Sequence, residues 1–210
     1  MNLAQADRIA TALVGELDDA CVRIAVAGSI RRRKPEVKDI ELVAIPRWAE
    51  RAVSGQASLF EANVEPLNLL QQRINALAPR VQPIKSGTQQ VEPWHLTPTG
   101  KYWRLWLPLV QLKVDLFVCS PETWGLNFMI RTGSGVGPSG APADGFAPAM
   151  LARWKQVSGG GMAYEAQLRG ANGGTHPTPE EQNVFAACRV QWVPPEQRLS
   201  SRDVERNLLP

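Results

Sequence analysis

Soft metal ligands are scarce in this chain. It holds two histidines, His95 and His176, and three cysteines, Cys21, Cys119 and Cys188. No two cysteines form a CxxC pair, so no plausible zinc set exists. Their odd number and wide spacing point to reduced thiols in a cytosol-like compartment rather than to disulfides. Long apolar runs are missing as well. No stretch approaches the ~18 residues of a membrane span. The opening, MNLAQADRIATALVGELDDAC, carries acids inside its apolar stretch and has no basic lead-in, so it does not read as a secretory signal. A one-sided charge is also absent. The 23 Lys and Arg against 20 Asp and Glu leave +3, which excludes attachment to a polyanion by bulk charge. What remains is an ordinary globular composition, 44% apolar and 20% charged. At 210 residues it fits one large domain or two small ones, with enough chain to bury a core.

Charge is uneven along the chain. Residues 71–115 hold six bases (Arg73, Arg80, Lys85, Lys101, Arg104, Lys113) and two acids (Glu92, Asp115), so any polyanion-binding patch is expected there. Lys85-Ser86-Gly87 and Lys101-Tyr102-Trp103-Arg104 interleave bases with aromatic or small residues, as nucleic-acid surfaces do. Core packing of Trp103 and Trp106 is the competing reading. Apolar spacing predicts helices over 3–20 and 63–78, with Pro79 ending the second. Strands are expected at Val22–Ala27, ending in the tight turn Gly28-Ser29, and at Ile40–Ile45, stopped by Pro46. Two more, Tyr102–Leu107 and Gln111–Cys119, pair as a hairpin through Pro108-Leu109-Val110. Residues 133–145 (GSGVGPSGAPADG) read as a mobile loop. Short helices follow at 146–156 and 179–188, the latter with Thr178 as cap and Pro179 in its first turn. The character of the chain changes near residue 120. A fold of the α+β class is expected, divided into 1–119 and 120–210.

Three acids lie on the expected strands. Asp39 and Glu41 are two apart, so alternation points both the same way while Ile40 and Leu42 face the core. Asp115 sits in the similar run Lys113-Val114-Asp115-Leu116-Phe117. Three carboxylates at one sheet edge repel unless divalent cations neutralise them, and hard oxygen ligands suit Mg2+ or Mn2+. Ten residues before Asp39 stands Gly28-Ser29-Ile30-Arg31-Arg32-Arg33-Lys34. Glycine permits close backbone approach there, and N–H groups, a hydroxyl and an Arg fork can hold phosphate oxygens. A phosphate cradle beside a carboxylate metal site is what nucleotidyl transfer needs.

These residues resemble the family X DNA polymerases of the polymerase-beta nucleotidyltransferase superfamily. The match runs through Gly28-Ser29-x-Arg31-Arg32, Asp39-x-Glu41, Val114-Asp115-Leu116 and Thr132-Gly133-Ser134. It continues in Glu180-Glu181-x-x-Val184-Phe185-Ala186-Ala187 and Trp192-Val193-Pro194-Pro195-Glu196-x-Arg198, which look like the thumb signature. The resemblance covers about residues 3–198, with gaps at 47–100 and 135–145. It implies a palm with a mixed or antiparallel sheet and helices on one face, then a small α/β thumb. It implies two Mg2+ ions (Mn2+ substituting) on Asp39, Glu41 and Asp115, with Asp115 taking the proton of a primer 3′-hydroxyl. Gly28, Ser29 and Arg32 would hold the triphosphate, and Thr132, Gly133 and Ser134 would lie against the nucleotide, with Arg131 as a further contact. The implied partners are dNTP and gapped or nicked DNA, in short-gap filling by a monomer.

The chain also departs from the family pattern. Glu41 stands where Asp is usual. Ile130-Arg131 replaces the common Tyr-Phe pair, which opens the choice between deoxy- and ribonucleotides. No helix-hairpin-helix or lyase region is expected before Gly28, and no phosphoesterase domain after the thumb. A cytoplasmic enzyme, with a phage or virus as one source, is the resulting expectation. Two other readings stay open: a nucleotidyltransferase working without a template or on RNA, protein or a small molecule, and a binding module that has lost catalysis.

Overall fold

The computed structural model describes residues 1–52, 64–77, 101–107 and 109–210. They form an α+β structure with a mixed four-stranded sheet. The first helix, α1 (Leu3–Leu17), is capped by Asn2, whose Oδ1 accepts from the Gln5 N–H at 2.9 Å. A 3-10 turn over Asp18–Ala20 ends it, and β1 (Cys21–Val26) follows. The short helix α2 (Gly28–Arg31) leads to β2 (Asp39–Pro46). After the hairpin β3 (Trp48–Ala52) and β4 (Val64–Asn68) comes α3 (Leu69–Leu77). The last two strands of the main sheet are β5 (Tyr102–Leu107) and β6 (Leu112–Val118).

The sheet order is β1-β2-β6-β5. Neighbours run antiparallel except the central pair β2 and β6, which is parallel. Alternation decides what each face carries. Ile40, Leu42, Ala44, Val114, Leu116, Trp103 and Leu105 point to one side and pack with α1 and α3 through Ala6, Ala10, Leu70 and Ile74. Val43, Ile45 and Phe117 point to the other and meet Trp124 and Phe128 of α4 (Trp124–Thr132). The helices of residues 1–119, α1 and α3, thus pack on one face of the sheet, and α4, from beyond residue 120, partly covers the other. Trp103, 3% exposed, belongs to the core.

Beyond Ser120 a second apolar cluster forms around Leu126, Met129, Phe146, Met150, Phe185 and Val193. It joins α4 with α5 (Phe146–Val157), α6 (Glu181–Ala187) and α7 (Ser201–Glu205). A small antiparallel sheet of β7 (Met162–Tyr164), β8 (Gln167–Arg169) and β9 (Thr175–His176) flanks it, with Leu168 buried.

Three local expectations change. The helix expected over 63–78 begins only at Leu69. Pro66 cannot donate within a helix, and Val64–Asn68 pairs instead with Trp48–Ala52. Asn68 then caps α3, its Oδ1 accepting from the Gln71 N–H at 3.1 Å. Thr178 does not cap α6. The cap is Glu180, in a reciprocal box with Asn183. Thr178 is instead buried, and its Oγ1 accepts from the Leu126 N–H at 3.3 Å. Residues 133–145 adopt folded turns with a 3-10 segment at Pro142–Asp144. Ser134 fastens them: its hydroxyl donates to Leu199 O at 2.7 Å and accepts from the Phe146 N–H at 3.0 Å.

Two consecutive acids join the halves. Glu180 takes both arms of Arg23 at 2.8 and 2.9 Å. Glu181, 3% exposed, takes both arms of Arg31 at 2.8 Å and is also hydrogen-bonded by Arg198, which is fully buried. Removing Glu181 leaves the fully buried Arg198 and the largely buried Arg31 without their hydrogen-bonded carboxylate. The Glu181→Ala variant is expected to lose about 3–5 kcal/mol of unfolding free energy, read by urea denaturation. A loss under about 1 kcal/mol, the level of an exposed pair, would refute this account.

Candidate active site

The acids stand where strand alternation places them. In the parallel register of β2 and β6, Asp39 pairs with Lys113 and Glu41 with Asp115. All four side chains lie on the sheet face that α4 only partly covers, beyond Val43 and Phe117. Asp115 is 5% exposed, and both its oxygens are engaged. Oδ1 accepts from Tyr102 Oη at 2.6 Å and Arg104 Nε at 2.8 Å, both across the β5–β6 pairing. Oδ2 lies 3.0 Å from Lys113 Nζ, which is also 2.9 Å from Asp39 Oδ2. Burial pushes the Asp115 carboxyl upward, but the hydrogen bonds from Arg104, Tyr102 and Lys113 outweigh it and hold the group below its ordinary range.

Glu41 is different. Among the described residues no cation hydrogen-bonds it, and burial followed by the nearby Asp39 charge pushes its carboxyl up to about 7, against the pull of Arg32 and Arg131. It folds over Gly28, which has φ +62°, and a Cβ at Gly28 would overlap the Glu41 carboxylate. Glycine suits that turn in conformation, and any larger residue there would have to displace the Glu41 side chain.

Around Glu41 lie buried polar atoms that have no hydrogen-bond partner among the described residues: Ser29 Oγ, Arg32 Nε and Arg131 Nε. Orphaned donors of this kind are costly unless a ligand completes them. Arg32 is anchored at its other end, Nη1 donating to Thr132 O. The Arg131 guanidinium carbon lies over the Phe117 ring, 3.7 Å from its centroid. A cleft of about 1310 Å³ opens over this face. Glu41, Asp115, Tyr102, Arg104 and Arg131 line one part, and Trp48, Asn68 and Gln71 another, with Glu165 and Gln167 contributing from the β7–β8 hairpin.

Three carboxylates are the hard donor set that Mg2+ or Mn2+ prefers, and the orphaned Ser29, Arg32 and Arg131 atoms suit an anion beside them. The donor chemistry fits. Among the described residues, no three His, Cys, Asp or Glu side chains form a ready metal cluster. Asp39 and Asp115 are instead turned onto the Lys113 ammonium.

The expected residues divide into two groups. Asp39, Glu41, Asp115, Gly28, Ser29, Arg32 and Arg131 converge. Thr132, Gly133 and Ser134 pack behind them. Thr132 is fully buried, its Oγ1 accepting from Arg31 at 2.7 Å, and a Cβ on Gly133 would press on Phe146. Arg31, though part of the same motif as Arg32, turns away to Glu181.

The basic stretch also looks different in three dimensions. Arg80 and Lys85, with Glu92, the Lys85-Ser86-Gly87 run and His95, lie outside the described residues. Its remaining bases each face a carboxylate: Arg73 with Asp19 at 3.7 Å, Lys101 with Glu165 at 3.6 Å, and Arg104 and Lys113 as above. Sequence reasoning missed Lys113, Tyr102 and Arg104 as partners of the acids. The signal was available, since residues 113 and 115 share a face by alternation.

No protein-family model matches the chain, and no curated protein matches it either. Among the described residues no helix is long and apolar enough to cross a membrane.

Glu41 generates a pH prediction. Its proton is held more tightly in the folded chain, so with metal chelated by EDTA, stability falls as pH rises from about 4.5 to about 7 and levels off above. The Glu41→Gln variant should flatten that part of the profile and melt several degrees higher at pH 8, measured by thermal unfolding. An unchanged or lower melting temperature would contradict the buried-charge account.

Proposed function

We propose that the chain is a nucleotidyltransferase built on the plan of the family X DNA polymerases, with the four-stranded sheet as palm and the part beyond Ser120 as thumb. One observation carries the reading: Glu41 stands beside Asp115 on the parallel strands β2 and β6, with Asp39 two residues earlier and the Gly28-Ser29 turn beneath Glu41. Asp39, Glu41 and Asp115 would hold Mg2+, or Mn2+ in its place, which when bound neutralises charge and polarises the phosphate.

The roles of the other groups follow from their freedom. Ser29 Oγ, Arg32 Nε and Arg131 Nε are donors awaiting anionic oxygens, and serve the triphosphate of a bound dNTP. Asp115 accepts the proton of the primer 3′-hydroxyl. The hydroxyl oxygen bonds to the α-phosphorus as the bond to pyrophosphate breaks. Fixing these partners in line supplies most of the rate gain. Thr132 and Ser134, with their hydroxyls engaged internally, position Arg31, Arg32 and α5 rather than touching the nucleotide. The cleft takes a primer–template, gapped or nicked, and repair of short gaps is the corresponding task. The working unit is a monomer in the cytoplasm.

Arg131 favours a second reading. A guanidinium lies on Phe117 near Glu41, in a segment where the family commonly has an aromatic pair against the sugar. Ribonucleotide or untemplated addition uses the same acids.

The two readings separate in one assay on a gapped duplex, with four dNTPs or four rNTPs and with or without template. Template-directed dNTP extension is expected. Equal addition of all bases without template would favour the second. Asp115→Asn keeps an acceptor for Tyr102 and Arg104, and should cut extension at least about 100-fold while the fold survives. Retained extension in that variant would sink both.

A further inference from the structure

Lys113 carries the most specifically placed charge in the site, and the proposed reaction leaves it without a task. Its ammonium bridges Asp39 Oδ2 at 2.9 Å and Asp115 Oδ2 at 3.0 Å. The backbone dictates this position. Lys113 is the register partner of Asp39 across β2 and β6, and it precedes Asp115 by two residues on the same face. Asp115 has two other donors, Tyr102 and Arg104, but both act on Oδ1. Among the described residues, Lys113 alone is ion-paired with both Asp39 and Asp115. Its side chain is 27% exposed, so the flexible four-carbon stem has an open side through which to turn.

A divalent cation shared by Asp39 and Asp115 needs the oxygens that the ammonium now holds, so the two compete for Asp39 Oδ2 and Asp115 Oδ2. We propose that Lys113 is a built-in counter-cation of the loading site: it holds Asp39 and Asp115 together while no divalent ion is bound, and it leaves them when one binds. The inference rests on the two-metal reading above and adds its regulation. Lys113 spares the unloaded protein the repulsion of neighbouring carboxylates. It does so at the expense of metal affinity, since each binding event must displace it. It is a positioning residue, acting on the reaction only through the acids.

The full chain tests this with readouts other than turnover. Mn2+ titration, following the free ion by electron paramagnetic resonance, compares the wild type with Lys113→Met, which keeps length and loses charge. The variant is expected to melt at a lower temperature in EDTA and to bind Mn2+ about 10-fold more tightly. Lys113→Arg keeps the charge in a fork that grips carboxylates, and should bind Mn2+ no more tightly than the wild type. A measurement on the wild type alone avoids any folding defect: acetic anhydride labelling of Lys113, read by mass spectrometry, should rise severalfold when Mn2+ replaces EDTA. Unchanged labelling, or unchanged affinity in a folded Lys113→Met, overturns the proposal while the two-metal reading stands. If neither protein binds Mn2+, both fall.

Discussion

Like-charge repulsion among Asp39, Glu41 and Asp115 is the constraint around which the structure is arranged. The parallel pairing of β2 and β6 sets the three carboxylates on adjacent strands of one face. Within a partly buried site that arrangement is tolerable only if positive charge is brought in. The chain brings it from several directions. Lys113 comes from the same strand as Asp115, Arg104 from the neighbouring strand, Arg32 from the turn below and Arg131 from the helix beyond. The +3 of the whole molecule therefore says little about its cleft, where much of the basic charge is matched locally.

The second constraint is the seam between the sheet and the helical part. Two neighbouring acids, Glu180 and Glu181, reach back to two arginines eight residues apart, Arg23 and Arg31. Arg23 also lies over Trp124 at 4.2 Å and Arg31 over Phe128 at 3.8 Å, so the ion pairs rest on an aromatic floor. The seam positions the site indirectly. Arg31 anchors on Thr132 and Glu181, Arg32 on the Thr132 carbonyl, and the cradle is drawn toward α4.

Much of this was legible in the sequence, for a physical reason. Strand alternation is strict, so the common face of Asp39, Glu41 and Asp115 and the burial of Ile40, Leu42 and Leu116 followed from spacing alone. The central strands and the 102–118 hairpin were visible for the same reason. What spacing does not carry is competition between local patterns. Val64, Leu67, Leu70, Ile74 and Leu77 satisfy a helical period, but Pro66 and pairing with β3 take the first part into a strand. Nor does spacing reveal partners far along the chain. Arg31 and Arg32 look equivalent in the motif, yet a quarter-turn of backbone sends one into the Glu181 seam and the other toward Glu41. The +4 of residues 71–115 read as a free cationic patch, whereas in the described part each of those bases lies beside a carboxylate, Arg73 and Lys101 in exposed pairs.

The Arg31–Glu181–Arg198 cluster has a consequence for how such a chain can change over time. Its members are 150 and 17 residues apart in sequence, yet each depends on the charge of another. Loss of Glu181 strands two cations, and loss of Arg198 empties a fully buried site packed against Phe185 and Trp192. Single steps away from the cluster are therefore steep, while joint replacement by apolar residues of similar volume lies in a separate basin of comparable stability. Descendants of this sequence should keep all three or have exchanged all three, which makes the seam a slow-moving marker of ancestry even where loops and surface have drifted.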